Sequence, residues 1–158
     1  MKLEKIVVAV AFTVALAGCG GSKDKARELV EASGLTKHYG AVVDMAAAGY
    51  ATRYPMLERE QIRNVVRDNL DQKELVSDMV DIYADHFDNN ELELMIRANQ
   101  HPEQAMAIIL GSKEGRALAE KVMKVQTDIA KEMQKSMADS DHSIVDALDD
   151  LKDDAKGV

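Results

Sequence analysis

The sequence predicts an all-α protein, a single bundle of about six or seven helices. Three observations carry that prediction. Ala, Leu, Met, Glu and Lys dominate the body of the chain, aromatic residues make up only 4% of it, and valines come in pairs instead of alternating with polar residues as a half-buried strand requires. The chain also has one cysteine, so no intramolecular disulfide can staple it. About 140 residues beyond an N-terminal leader suffice to bury a core without one.

Each element follows from spacing and punctuation. A first helix is predicted over about Asp24 to Ser33, with Leu29 and Val30 inward and Gly34 as a left-handed C-cap. The next, about Leu35 to Arg53, places Leu35, Tyr39, Val42, Val43, Ala46 and Tyr50 on one stripe and ends near Tyr54, which Pro55 pushes out of the helical region. Its run Ala46-Ala47-Ala48-Gly49 predicts room for a close neighbour. A third helix, about Leu57 to Leu70, buries Ile62, Val65, Val66 and Leu70. Asp71-Gln72-Lys73-Glu74 and Asp88-Asn89-Asn90-Glu91 both read as capping boxes, an acceptor at the N-cap with a glutamate three residues on. They open helices over Gln72 to Phe87 and Asn89 to Ala98. Pro102 suits the first turn of a short helix that stops at Gly111, and Ser112 caps a last long helix with Leu118, Val122, Val125, Ile129 and Met133 along one face.

The N-terminus reads differently. Lys2 and Lys5 precede an apolar segment from Ile6 to Ala17, and small residues close it, as a secretion signal requires. Twelve apolar residues fall short of the roughly 17 to 25 that a spanning helix needs. Leu16-Ala17-Gly18-Cys19 resembles the lipobox of bacterial lipoproteins. The resemblance implies that residues 1–18 are a cleaved signal peptide, that the Cys19 thiol carries a diacylglyceryl group, and that its new amine is acylated too. Gly20 after the cysteine leans towards the outer membrane, with the body in the periplasm. Each buried methylene contributes about 0.8 kcal/mol, so two or three chains make a durable anchor where one does not. Residues 19–24 then form a lipidated cysteine and short tether, of which Gly20 to Lys23 reach about 14 Å when extended.

Losing residues 1–18 removes Lys2, Glu4 and Lys5 and moves the formal charge from −8 to −9. Nucleic acid is a poor partner for such a surface, because phosphate binding needs a basic patch. The expected bundle domain spans 25–138. The remaining stretch, 139–158, holds seven acids against two lysines and is expected to be marginally ordered, with Ile144, Leu148 and Leu151 as a narrow apolar stripe able to dock on the bundle.

The stretch LVSDMVDIYADHFDNNELELMI, residues 75 to 96, is similar to the core of an uncharacterised bacterial family, the all-helical domain of unknown function twenty-fifty-nine. Tyr83, Phe87, Glu91 and Leu92 match its first part, and Ser112 with Gly115 match a following Ser-Pro-x-Gly step, with Lys113 in place of the proline. Residues 97–110 depart from the family's connection. The resemblance implies an exported helical bundle and assigns no catalytic residue. On their spacing, Tyr83 and Phe87 are core anchors on the face of Leu75, Met79 and Val80.

The ionisable groups form no recognisable centre of chemistry. Glu74, Asp78, Asp81 and Asp85 line one helix face with His86 at its end, a carboxylate ridge that lacks the wrapping loop and glycine of a dedicated calcium site. His38, His86, His101 and His142 are scattered, with none at the i, i+4 spacing of a zinc helix. Gly111-Ser112-Lys113-Glu114-Gly115 has the wrong spacing for a phosphate loop, and no Gly-x-Ser-x-Gly elbow occurs. Lys113, Arg116, Lys121, Lys124, Lys131 and Lys135 are interleaved with Glu114, Glu120, Asp128 and Glu132, which reads as a solvated face with pairs such as Glu120 and Lys124. The nine methionines read mainly as packing residues, with a flexible binding groove as the alternative.

The expectation is a membrane-tethered envelope protein that works by binding another envelope protein or a peptide, with no catalytic residue, metal or cofactor. A carrier of an apolar ligand in a groove between helices is the first alternative, and a hydrolase built on the carboxylate ridge the second.

Overall fold

The computed structural model describes residues 21–156, which form eight α-helices and no strand. Helix α1 spans Gly21–Ala32, α2 Tyr39–Ala51, α3 Arg59–Asn69, α4 Gln72–His86, α5 Asn89–Gln100, α6 Ala105–Leu110, α7 Lys113–Ser136 and α8 Ala138–Lys156. The all-α bundle predicted from composition and spacing is the fold observed.

Local signals account for most of the boundaries. Gly34 closes α1 with a φ of 73°, a left-handed conformation that costs glycine nothing. Residues 33–38 form a turn after it, tied by the His38 N–H to the Gly34 carbonyl at 2.9 Å, so α2 begins at Tyr39 instead of near Leu35. The Glu58 N–H donates to the Gln61 side chain at 2.9 Å ahead of α3. Asp71 accepts from the Lys73 and Glu74 N–H groups at 2.7 and 3.1 Å, but the reciprocal bond from Glu74 is missing, so only half of that predicted box forms. The box at Asp88 is complete, since its carboxylate accepts from Asn90 and Glu91 while its own N–H donates to Glu91 at 2.9 Å. Pro102 sits in the turn before α6, not in its first turn as expected. Ser112 caps α7, its hydroxyl accepting from the Gly115 N–H at 2.9 Å.

The helices close around two cores. One joins α2, α3 and α8 through Val43, Ala47, Tyr54, Leu57, Ile62, Val66, Leu70, Ile144 and Leu148. The other joins α1, α4, α5 and α7 through Ala26, Leu29, Val30, Val80, Phe87, Leu92, Ile96 and Leu118. The chain enters the second core with α1, leaves it for α2 and α3, returns with α4 to α7 and ends in the first core with α8. Neither core is a contiguous segment.

Two sequence expectations change on this account. The boundary at residue 138 does not divide the fold, because the acidic stretch after it is a 19-residue helix with Ile144 and Leu148 only 3% and 0% exposed. Fully burying one such side chain contributes about 1.5–3 kcal/mol, an amount that Ile144 and Leu148 each supply, with the half-buried Leu151 adding to it. The expected extended tether is also shorter, since α1 has begun by Gly21, whose backbone abuts the Asn89 side chain.

Between α6 and α7 the backbones touch. A Cβ on Gly115 would lie 2.1 Å from the Ile109 carbonyl oxygen, so only glycine fits there. The predicted helix junction at 111–115 is therefore a tight corner, with Arg116 donating to the Leu110 carbonyl across it at 2.7 Å.

Candidate interaction surface

The widest concavity described opens beside α2, with a volume of about 500 Å³. Its floor is Ala47, Ala48, Ala51 and Leu57, and Asp44, Arg59 and Arg63 stand on its rim. The small residues of α2 divide: Ala46 and Ala47 pack into the core shared with α3 and α8, whereas nothing lies within 4 Å of a Cβ built on Gly49, and Ala48 faces solvent. Asp44 accepts from Arg63 Nε at 2.5 Å, and this bond is the main reason the Arg63 guanidinium is held above its ordinary pKa. Arg63 is thereby pinned against the rim while Arg59 projects from the start of α3.

A second hollow of about 350 Å³ lies where α7 turns into α8, lined by Tyr50, Val66, Leu70, Met137 and Ile144 among others. Tyrosines organise this end of the molecule. Tyr39 donates to the Leu70 carbonyl, linking the start of α2 to the end of α3. Tyr50 donates to the Asp141 carboxylate on α8, and burial, then that carboxylate, push its hydroxyl pKa well up. Tyr54 is 4% exposed, with burial first and Asp149 second raising its pKa, and the Lys152 ammonium lies 5.8 Å from its ring centre.

The groups examined for chemistry do not converge. Asp81 of the carboxylate ridge is paired with Lys23 of α1 at 2.8 Å, which also raises the lysine pKa. Among the described residues no three His, Asp or Glu side chains gather as a metal ion would need. His86 Nε2 is 3.0 Å from Glu132 of α7, whereas His101 and His142 meet carboxylates at 3.7 and 3.4 Å on their own segments. On the lysine-bearing face of α7, Lys121 makes the interhelical pair, 2.5 Å from the capping Glu91 and 5.4 Å from the Phe87 ring centre.

Sequence reasoning assigned the methionines too freely to the interior. Met45, Met56, Met106 and Met123 are 54–73% exposed, and Met79, Met95, Met133 and Met137 are half-buried. Tyr83 and Phe87 do pack as predicted, with ring centres 6.2 Å apart, while Leu92 beside them is fully buried. Tyr54 and Leu57 are core residues that periodicity missed, because they lie between helices, where no spacing rule applies. Leu16, Ala17, Gly18 and Cys19, together with the signal segment, lie outside the described residues. No described helix is long and apolar enough to cross a membrane.

These features define a class: a two-core all-α bundle with a charged-rimmed cleft on its smaller unit. No family model, curated protein or solved structure matches the chain.

Proposed function

We propose that this chain is a lipid-anchored lipoprotein of the bacterial envelope, held through Cys19 to the outer membrane with its body in the periplasm, and that it works by binding. The partner is another envelope protein or a peptide, and the cleft beside α2 is where it docks. The observation that carries this reading is the cleft itself: an apolar floor of small side chains under a rim of fixed charges gives both a pocket for a protruding side chain and polar groups to orient it. The likeness to the domain of unknown function twenty-fifty-nine family stands here as a proposal resting on Tyr83, Phe87, Glu91, Leu92, Ser112 and Gly115. Those residues act as core, cap and corner in this fold.

A carrier of apolar ligands needs a sheltered apolar chamber, and the two clefts beside α2 and at the α7–α8 turn are half open to solvent with charged or hydroxyl groups at their edges. The ridge hydrolase needs carboxylates that face one another across a substrate, whereas Glu74, Asp78, Asp81 and Asp85 all lie along one helix, with Asp81 paired to Lys23.

A photocrosslinking residue at position 52, also on the cleft lining, tests the docking site in intact cells. A defined partner is expected, and Ala48→Trp, which fills the floor, is expected to lower its capture at least tenfold; equal capture by the filled cleft contradicts the assignment. For the anchor, Cys19→Ser is expected to move the protein out of the membrane fraction and remove the acyl mass. An unmodified cysteine on the mature wild-type chain contradicts it.

A further inference from the structure

The junction between α7 and α8 differs in kind from the other helix junctions among the described residues. Those junctions each carry a local stop. Gly34 is left-handed after α1, Pro55 follows α2, and Leu70 and Phe87 are extended ahead of the Asp71 and Asp88 caps. Pro102 follows α5, and Gly111 precedes the Ser112 cap of α7. From Lys113 to Lys156, by contrast, glycine occurs only at Gly115 in the first turn of α7, and proline does not occur. Met137 alone interrupts the helix, with φ −86° and ψ 3°, roughly 45° of ψ from helical values. Its N–H bonds to the Met133 carbonyl at 3.0 Å and its carbonyl accepts from the Asp141 N–H at 2.9 Å, so one i to i−4 bond is kept on each side of the bend. Beyond the bend α8 is held by its docking, through Ile144, Leu148 and the Tyr50 to Asp141 bond, while the local mark is the Ser136 hydroxyl donating to the Met133 carbonyl at 3.1 Å.

A change at one residue would make α7 and α8 a single helix of roughly 44 residues, about 66 Å long. That helix would carry α8 away from its own α2–α3 hairpin and leave Val43, Ile62 and Val66 uncovered. The segment that fits this face is α8, with its apolar stripe and its acids set for Tyr50 and Tyr54. We propose that α8 is an exchangeable arm, and that two copies of this chain form a symmetric dimer in which each supplies α8 to the other's α2–α3 hairpin. The same contacts are then made twice across a two-fold axis, and no new surface is needed. A short hinge favours such exchange, and here a single residue, Met137, separates the two helices. The inference does not depend on the anchor or on the partner cleft.

The test uses two full-length chains, isotopically labelled Tyr50→Cys and unlabelled Asp141→Cys, purified separately, warmed together at high concentration and treated with a short bismaleimide. Peptides joining position 50 of one chain to position 141 of the other are expected, in a species that sedimentation shows to be a dimer. Inserting Gly-Asn-Gly between Met137 and Ala138 supplies the missing stop, and is expected to lower the dimer fraction at least tenfold while circular dichroism shows the helix content unchanged. A chain monomeric up to about 1 mM, a dimer without the mixed crosslink, or a dimer that survives the insertion in a folded protein would each overturn the proposal.

Discussion

The two cores of this protein are held by different means. The core of α1, α4, α5 and α7 is framed by local devices: a complete capping box at Asp88, a serine cap at Ser112, and the Lys121 to Glu91 pair that ties the box to α7. The core of α2, α3 and α8 is assembled from segments some ninety residues apart and tied by tyrosine hydroxyls, Tyr50 to Asp141 being the longest-range bond of the set. Both are built from separated stretches of the chain. The second loses two of its nine buried residues, Ile144 and Leu148, when the C-terminal helix leaves.

The largest expected effect breaks the second unit alone. Leu148→Ala, at a fully buried site, is expected to cost about 2–5 kcal/mol. Three of the four tyrosines lie in or beside that core and there is no tryptophan, so near-ultraviolet circular dichroism reports it almost selectively. In urea the aromatic signal of the variant is expected to fall ahead of the far-ultraviolet helix signal. Coincident transitions would show that the cores unfold together. Leu92→Ala makes the matched lesion on the other side and should reverse the order.

Gly115→Ala tests the tight corner between α6 and α7. Its methyl group meets the Ile109 carbonyl, so the backbones must part, at a cost of about 1–3 kcal/mol. Amide exchange should quicken in α6 and the first turns of α7 and leave α2, α3 and α8 unchanged. A variant as stable as the parent would contradict the contact.

Smaller effects test the caps. Asp88→Ala is expected to cost about 1 kcal/mol, since it removes the carboxylate that accepts from the Asn90 and Glu91 N–H groups while the Asp88 N–H keeps its bond to Glu91. Asp71→Ala removes the matching pair of bonds from Lys73 and Glu74 and should cost a similar amount. Hydrogen bonds from the Glu74 and Lys73 N–H groups lower the Asp71 pKa in the folded chain. Its contribution is therefore present above the ordinary carboxylate value and lost as pH falls through the lowered one. An Asp71 carboxyl titrating at or above the ordinary value, followed by nuclear magnetic resonance, would argue against the cap.

The tyrosines set the opposite limit. The hydroxyls of Tyr39, Tyr50 and Tyr54 are raised above their ordinary value near 10, chiefly by burial. The unfolded chain then loses protons first, so stability is full below about pH 10 and declines as pH rises towards the raised folded values. Alkaline loosening of the α8 contact is expected before loss of the α4 region, where Tyr83 alone is affected in the same direction. Tyr50→Phe should weaken α8 docking by under about 1 kcal/mol, read as a small shift of the aromatic transition.

Much of the fold was legible because its signals are local. Gly34, Asp88 and Ser112 marked their boundaries, and the stripes through Ile62 and Val66, and through Val80 and Phe87, are buried as spacing predicts. What spacing could not show was how stripes are paired. Ile144 and Leu148 looked like a narrow stripe on an acidic tail, and only the hairpin's matching face makes them core. The α2 cleft could not be read from Ala46-Ala47-Ala48-Gly49, since small residues equally pack against a helix, as Ala46 and Ala47 do, or leave a hollow, as at Ala48, and Arg59 and Arg63 come from beyond Pro55. The exposed methionines carry no positional signal at all.

The most direct test is residue-resolved hydrogen exchange on the intact chain under native conditions. Amides of α8 around Ile144 to Leu148 should open together with those of α2 and α3, with one common free energy. Exchange of α8 at the rate of an unstructured tail, beneath protected α2 and α3 helices, would contradict the two-core account.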